Sequence, residues 1–152
     1  MNYMKIKNID IANGDGVRVS IFVSGCSIHC KGCFNQVAWD FNAGQEFTDE
    51  TMNELLKDLT PDYIKGLTIL GGEPMDNQEG VWNIIKTVRE KLPQKDIWLY
   101  SGYYKDNIPK TNYTDDILNN INVLVDGDFE EDKKDITLKF KGSSNQRINY
   151  LR

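Results

Sequence analysis

The fold of this chain is decided by the stretch VRVSIFVSGCSIHCKGC, residues 17–33, in which a run of β-forming residues leads straight into three cysteines. Residues 17–23 are rich in β-branched and aromatic side chains, and we expect them to form the first central strand. Cys26, Cys30 and Cys33 follow in the pattern C-x3-C-x2-C, and they are all the cysteines that the chain has. The sequence therefore predicts a strand whose carboxyl end carries a cysteine loop, residues 24–33.

Three thiolates from one short loop can hold three iron corners of a four-iron, four-sulfur cluster and leave the fourth iron open. Ferredoxins that only transfer electrons usually supply a fourth cysteine for each cluster, which this chain cannot do. Zinc held by the cysteines and His29, the only histidine, is an alternative, although structural zinc sites mostly use two separated ligand pairs. Disulfides are disfavoured because the cysteines are odd in number and no secretory signal precedes them.

The composition is typical of one globular domain with a substantial core. Of 152 residues, 39% are hydrophobic and 11% aromatic, so we expect residues 1–152 to form a single domain. A net charge of -5 argues against nucleic acid as a partner. No apolar run reaches the roughly 20 residues of a membrane helix, so we predict a cytoplasmic protein without a membrane partner. The charged residues 130–134 are expected on the solvated surface.

Strands and helices are predicted to alternate along the chain. Apolar residues alternate over residues 4–11 with one slip in phase, and the turn signal Asn13-Gly14-Asp15-Gly16 follows, so an opening hairpin is expected. Thr48 is a plausible N-cap for the first helix. Helical periodicity then predicts helices at about residues 49–59 and 81–92, with a short one at 115–121. Short apolar runs predict strands at residues 67–70, 97–100, 123–125 and 136–140.

This alternation predicts an α/β fold with a mostly parallel sheet. Because the carboxyl ends of parallel strands meet at one edge, the loops that begin at Cys26, Gly71, Ser101 and Asp126 should gather there. A closed eight-stranded barrel usually takes around 250 residues, so this chain can form only a partial, open (βα) barrel of about five to six strands. Such a barrel leaves one side accessible to something large.

Two motifs together resemble the radical S-adenosylmethionine enzymes: the three cysteines, and Gly71-Gly72-Glu73-Pro74 further along the chain. Four more stretches narrow the resemblance to the glycyl-radical-enzyme activases, and among them to the family that activates anaerobic ribonucleoside-triphosphate reductases. They are NGDGVR (13–18) followed by FVSGC (22–26), YSGY (100–103), VLVDG (123–127) and GSSNQR (142–147). The resemblance covers nearly the whole chain, and the short length is also typical of that family.

The resemblance implies a radical S-adenosylmethionine fold with a [4Fe-4S] cluster held by Cys26, Cys30 and Cys33. It also implies that S-adenosylmethionine binds the fourth iron through its amino and carboxylate groups. Reductive cleavage would then give a 5′-deoxyadenosyl radical, which generates a glycyl radical on the large subunit of the anaerobic ribonucleoside-triphosphate reductase. An external, flavodoxin-like electron donor would supply the electron.

The strand-end loops supply further candidates for cofactor binding. Gly71 and Gly72 would let the backbone approach the methionyl amino group, and Glu73 is an acceptor suited to that ammonium. The alternative for these residues is an ordinary turn that ends a strand. Ser101 and Asp126 end strands that face the same pocket. Asp126 could there hold a lysine, a metal cation or the ribose, or could simply be a turn aspartate.

The segment around the last cysteine is implied by the resemblance to contact the adenine. Gly32 and Phe34 flank Cys33 in this segment, although Phe34 would suit the core equally well. The turn at residues 13–18 and the tail at residues 142–147 match the family, yet a hairpin turn and a polar terminal loop explain them too. The tail is a candidate for contact with the partner or for closing the open barrel.

Two other functions stay open at this point. The first keeps the radical chemistry but targets another glycyl-radical enzyme, such as pyruvate formate-lyase; the short chain favours the reductase. The second is a non-catalytic iron-sulfur or zinc module.

Overall fold

A computed structural model of the chain describes residues 1–30, 32 and 36–152. Its strands are β1 (Asn2–Asp10), β2 (Arg18–Val23), β3 (Gln45–Glu46), β4 (Gly66–Gly71), β5 (Asp96–Ser101), β6 (Val123–Asp126) and β7 (Arg147–Tyr150). They form one open sheet in the order β3-β1-β2-β4-β5-β6-β7. The four central strands β2, β4, β5 and β6 run parallel, whereas β1, β3 and β7 pair antiparallel with their neighbours. The architecture is therefore α/β with a mixed sheet of seven strands, more than the five or six expected.

The opening hairpin is confirmed as the antiparallel pair of β1 and β2, with Ile6 opposite Ile21. The slip in the apolar pattern coincides with a register shift between Lys7 and Asp10. As a result Asp10 turns inward and is 1% exposed, while the preceding Ile9 is 53% exposed. Asp10 accepts hydrogen bonds from the Ser20 hydroxyl at 2.6 Å and from the Ala12 amide at 2.8 Å. Burial raises the pKa of Asp10, but these and other hydrogen bonds outweigh it and hold the pKa below its usual value.

The three helices, α1 (Asp49–Leu59), α2 (Gln78–Lys91) and α3 (Thr114–Asn120), form where the periodicity predicted them. Thr48 caps α1 as expected, in a capping box with Thr51. The helices cover one face of the sheet. Their buried apolar residues form a single cluster with every second residue of the central strands. This cluster includes Leu55, Leu59, Ile84, Ile85, Val88 and Ile117 from the helices and Val19, Ile21, Leu67, Ile69 and Leu99 from the strands.

None of the three α-helices packs on the opposite face of the sheet, and we call it the open face. Trp98, Val123 and Val125 form a separate small cluster there, against which Phe140 packs. The Trp98 and Phe140 rings meet edge to face, with centroids 5.2 Å apart. The segment after β6, residues 128–146, thus lies over part of this face; we call it the tail segment.

The prediction of a strand at residues 136–140 is wrong. Asp135 accepts hydrogen bonds from the amide and hydroxyl of Thr137, which fold the chain into a turn, and Phe140 has a φ of 65°, outside the β region. The place beside β6 is taken by β7, where Ile148 pairs with Val125. No strand had been predicted for residues 147–150. The charged residues 130–134 lie at the surface, as expected.

The turn at residues 13–18 has a structural explanation. Arg18 is fully buried, and its guanidinium donates to Thr68 Oγ1 at 2.7 Å, to the Asp15 carbonyl at 2.8 Å and to Asp96 Oδ1 at 2.6 Å. Gly14 has a φ of 108°, and a Cβ there would lie 2.7 Å from Arg18 Nε. This motif therefore seats a buried arginine that ties β2 to β4 and β5. In the described residues, we find no helix with the length and apolar character to cross a membrane.

Candidate functional site

A cavity of about 430 Å³ lies on the open face where β2, β4 and β5 end. Six predicted site residues line it: Cys26, Cys30, Gly71, Gly72, Glu73 and Ser101. Its apolar wall includes Phe22 and Leu70 from the sheet and Phe129 from the tail segment. We call it the cysteine cavity. A larger groove of about 710 Å³, between Met1, Trp82 and Tyr113, is lined by no cysteine that the structure describes, so the chemistry assigns the candidate site to the smaller cavity.

The cysteine loop begins directly at the end of β2. Cys26 is buried, with 7% of its surface exposed, and its amide donates to the Trp39 carbonyl at 3.1 Å. Burial raises the pKa of the Cys26 thiol, although the backbone amides of His29 and Ile28 donate hydrogen bonds to it and act in the opposite direction. Cys30 is partly exposed. Cys33 lies outside the described residues.

These features fit an iron-sulfur cluster. Thiolates are the soft ligands that iron-sulfur clusters use, and amide hydrogen bonds to the ligating sulfur are one of the protein's means of tuning such a cluster. A buried thiolate also needs a nearby cation to offset the cost of its burial, and a bound metal supplies one. His29, the fourth ligand of the zinc alternative, is exposed and stacks on Trp39 with ring centroids 4.3 Å apart.

The two glycines of the Gly-Gly-Glu-Pro motif bring the loop after β4 against the cysteine loop. Gly71 has a φ of 124°, and a Cβ on it would lie 2.4 Å from the Val23 amide nitrogen. A Cβ on Gly72 would lie 2.6 Å from the Gly25 carbonyl oxygen. That same carbonyl accepts a hydrogen bond from the Glu73 amide at 2.7 Å. Glycine is thus required at both positions for backbone to meet backbone beside the cavity.

Glu73 is 1% exposed and joins the loops after β4 and β5. Its Oε2 accepts hydrogen bonds from the Met75 amide at 2.9 Å and the Ser101 hydroxyl at 2.8 Å, while Oε1 accepts from the Gly102 amide at 2.6 Å. Burial raises its pKa to about 7, against the lowering effect of these three donors. A carboxylate has about four acceptor positions, so three described donors leave room for one more.

Ser101 and Asp126, two predicted site residues, bind different side chains: Ser101 hydrogen-bonds to Glu73, and Asp126 pairs with Arg147. Ser101 directs its hydroxyl to Glu73 and accepts from the Tyr103 amide at 3.1 Å. Asp126 is fully buried and forms an ion pair with Arg147 at 2.5 Å, so the cation beside it is an arginine of β7. Burial raises the pKa of Asp126, but hydrogen bonds from Arg147 and others outweigh it and lower the pKa. The residue that lines the cavity is its neighbour Gly127.

Gly32 lies against the tail segment rather than in open space. Its φ is 74°, and a Cβ there would come within 2.9 Å of the Glu131 side chain. The described structure therefore gives Gly32 a packing reason, separate from the adenine contact implied by resemblance. Phe34, predicted to contact the adenine, lies outside the described residues together with Cys33.

No individual role was predicted for three residues at or beside the cavity: Gln146, in the tail that was a candidate for closing the open barrel, Asn77 and Tyr100. Gln146 accepts from the Gly142 amide at 2.8 Å and donates to the Gly127 carbonyl at 3.0 Å, which closes the tail over the end of β6. Asn77 donates to the Ser24 carbonyl at 3.1 Å and braces the start of the cysteine loop. Asn77 lies three residues after the Gly-Gly-Glu-Pro motif, and this position could have indicated a role beside the cysteine loop. The hydroxyl of Tyr100 is buried in the cavity wall without a hydrogen-bond partner among the described residues.

Comparison with known proteins agrees with the iron-sulfur chemistry of the site. Residues 12–149 match the family described as "4Fe-4S single cluster domain". The class of protein defined by fold and site is therefore a single-cluster iron-sulfur protein.

Curated relatives narrow this class. The anaerobic ribonucleoside-triphosphate reductase-activating protein of Escherichia coli (strain K12) is 39% identical over 156 residues, covering 100% of both chains. The protein of that name from Pasteurella multocida is 40% identical, over 97% of this chain and 96% of the relative. The one from Enterobacteria phage T4 is 39% identical, over 97% and 93%. The chain belongs to the family of anaerobic ribonucleoside-triphosphate reductase-activating proteins.

Proposed function

We propose that this protein activates an anaerobic ribonucleoside-triphosphate reductase by installing a glycyl radical on the large subunit of that enzyme. The observation that carries the proposal is the cysteine cavity, which joins Cys26 and Cys30 to the Gly-Gly-Glu-Pro loop in a chain of this family. The proposal includes a partial barrel of the radical S-adenosylmethionine type, whose uncovered side is the open face. It also includes a cytoplasmic location, where clustered thiols stay reduced.

Cys26, Cys30 and Cys33 would hold the [4Fe-4S] cluster. When bound, the cluster and S-adenosylmethionine supply a 5′-deoxyadenosyl radical by one-electron reductive cleavage, with the electron coming from an external, flavodoxin-like donor. The protein's own part is to fix the thiolates, to orient the methionyl end of the ligand and to keep water out. Phe22, Leu70 and Phe129 give the cavity the apolar wall that the last task requires.

Glu73 is proposed to receive the methionyl ammonium. Its carboxylate is held in place by three donors and keeps one acceptor position, and the residue lines the cavity. Because burial raises its pKa to about 7, the carboxylate carries its negative charge at an energetic cost. A cationic ammonium would stabilise the ionised form, and this difference favours binding of a positively charged ligand.

The open face is proposed to receive the glycine loop of the reductase. In the described chain the helices cover only the other face, so a docked loop would complete the wall that the sheet leaves open. Glycine suits this role because it has no side chain to obstruct entry and its Cα radical is delocalised over the adjacent amides.

The proposal is tested with anaerobically reconstituted protein, a chemical reductant, S-adenosylmethionine and a reductase large subunit labelled with α-deuterated glycine. We expect deuterium in the 5′-deoxyadenosine and a stable organic radical in the electron paramagnetic resonance spectrum. Cys30→Ala, prepared in parallel, should give neither. Formation of 5′-deoxyadenosine without deuterium and without the radical would rule out this target. No 5′-deoxyadenosine at all would instead favour a non-catalytic iron-sulfur module.

A further inference from the structure

A carboxylate outside the cysteine loop fixes the turn that follows Cys26. Ser27 donates both its backbone amide and its hydroxyl to Oδ2 of Asp76, each at 2.8 Å. Tyr103 donates its phenol to the other oxygen, Oδ1, at 2.8 Å. The Ser27 and Tyr103 hydroxyl oxygens also lie 2.9 Å apart. Asp76 therefore joins the cysteine loop to the loops that follow β4 and β5.

Asp76 is held in place independently of these bonds. It ends a short 3-10 turn, Pro74–Asp76, in which its amide donates to the Glu73 carbonyl at 3.0 Å. The neighbouring Met75 side chain is 2% exposed. The turn thus presents the carboxylate to Ser27, while the Glu73 amide and the Asn77 side chain bond the same turn to the Gly25 and Ser24 carbonyls at the start of the cysteine loop.

We propose that Asp76, supported by Tyr103, is a positioning residue that holds the start of the cysteine loop, at Cys26 and Ser27, in place before iron binds. The inference rests on the proposed function in so far as this loop is the cluster ligand. A loop that must deliver several thiolates to one cluster loses conformational freedom on binding, and prior ordering removes part of that cost. Hydrogen bonds to a carboxylate are stronger than those between neutral groups, which suits Asp76 to this task.

The charge of Asp76 has a second consequence. Its carboxylate accepts from the residue next to Cys26, so it places a negative charge near the cluster site. A negative charge nearby disfavours the addition of an electron to a cluster. The reduction potential of the cluster should therefore be lower with Asp76 than with a neutral residue of the same shape.

The first test measures amide hydrogen exchange in the full chain without iron, by nuclear magnetic resonance. Asp76→Ala should speed exchange of the Ser27 amide by about tenfold or more, because a charge-assisted hydrogen bond is lost. Exchange in β4 and β5 and the thermal midpoint should stay unchanged. Asp62→Ala, which removes an exposed carboxylate in the turn before β4, serves as the matched control and should change neither quantity.

The second test uses the reconstituted protein and separates shape from charge. Asp76→Ala should retain less iron per chain after exposure to a chelator. Asp76→Asn keeps an acceptor for Ser27, so it should restore most of the iron retention while the cluster potential shifts to a more positive value. Tyr103→Phe leaves the bonds between Ser27 and Asp76 in place and should show a smaller loss of iron than Asp76→Ala.

Three results would overturn the inference. One is unchanged Ser27 exchange in Asp76→Ala. Another is faster exchange throughout the chain with a lower thermal midpoint, which would make Asp76 an ordinary stabilising residue. The third is altered exchange with undiminished iron retention. If the wild-type protein holds its cluster yet fails to transfer deuterium from the reductase, the proposed function is wrong. The exchange and iron measurements still test the role of Asp76 in that case.

Discussion

The two faces of the sheet are built from the same strands but differ in the share of polar and charged side chains that they bury. On the helix-covered face, Ile69 and Leu99 are fully buried among other apolar side chains. On the open face, the neighbouring residues Thr68 and Tyr100 are polar, and Arg18 is a buried charge. Because side chains alternate along a strand, each central strand contributes to both faces at once.

This difference assigns the two faces different roles: the helix-covered face stabilises the fold, and the open face carries the proposed binding site. The helix-covered face gains from apolar burial, which needs no specific partner. The open face buries polar groups that need specific partners, as Arg18 shows with its donors to Thr68, Asp15 and Asp96. Mutations on the two faces should therefore fail in different ways: loss of folding on one, and loss of ligand binding in a folded chain on the other.

The largest effect is expected for the cysteines at the edge of the open face. Cys26→Ala and Cys30→Ala should each abolish the cluster and the cleavage of S-adenosylmethionine, because two thiolates cannot hold three irons. Iron and sulfide analysis after anaerobic reconstitution measures this directly. Far-ultraviolet circular dichroism of the same samples should show an unchanged fold. Full iron content in either variant would contradict the assignment of these cysteines as cluster ligands. Stoichiometric zinc in the wild type would show a zinc site instead of an iron-sulfur cluster.

A core residue on the other face should show the reverse pattern. Leu99→Ala removes a fully buried side chain and should lower the free energy of unfolding by about 2–5 kcal/mol, measured by urea denaturation. The iron content of the chains that remain folded should not change. Ile136→Ala, at a side chain that is 89% exposed, is the control and should change stability by no more than about 0.5 kcal/mol. Loss of iron without loss of stability in Leu99→Ala would break the separation of the faces.

Glu73 should make the stability of the empty protein depend on pH. Its pKa is about 7 when folded, above the ordinary value of 4.5, so the folded state binds the proton more tightly. The free energy of unfolding should therefore fall as pH rises between those two values, by up to about 1.4 kcal/mol per pH unit from this group. Urea denaturation from about pH 5 to about pH 8 measures the slope.

Glu73→Gln should flatten this dependence because the side chain no longer titrates. Glu54→Gln, at an exposed position of α1, should keep the wild-type slope. An identical slope in Glu73→Gln and wild type would show that other groups cause the pH dependence.

Local patterns in the sequence were enough to predict the helices, the central strands and the meeting of two motifs. Apolar periodicity predicted α1 and α2, and the rule that parallel strands end at one edge brought Cys26, Gly71 and Ser101 to one cavity. These features depend on residues close in sequence or on a general property of parallel sheets.

The errors arose where distant residues decide the outcome. Residues 136–140 and β7 both contain alternating apolar residues, so the local signal does not distinguish them. Asp126 favours β7 as the strand beside β6, because it accepts hydrogen bonds from Arg147 and from Asn149. The same applies to Arg18, whose partners Thr68 and Asp96 lie far along the chain. No spacing rule relates these residues in a single sequence.

The smallest effect is expected for Tyr100, the residue beside Leu99 that faces the other way. Its hydroxyl is buried in the cavity wall and finds no hydrogen-bond partner among the described residues. An unpaired buried hydroxyl costs free energy, so Tyr100→Phe should leave the stability of the empty protein unchanged or raise it by about 1 kcal/mol. Thermal and urea unfolding measure this, with Tyr63→Phe at an exposed ring as the control.

The residue Tyr100 lines the cavity, but its hydroxyl is buried and not exposed to a molecule that enters. Tyr100→Phe should therefore leave binding of S-adenosylmethionine and of the reductase loop unchanged, because the phenylalanine ring presents the same surface to the cavity. Titrating each partner separately against the reconstituted variant measures this. A Tyr100→Phe protein destabilised by more than about 1 kcal/mol would mean that the hydroxyl serves the fold. Tyr100 would then belong with Leu99, and the division between the two faces would not hold at this strand.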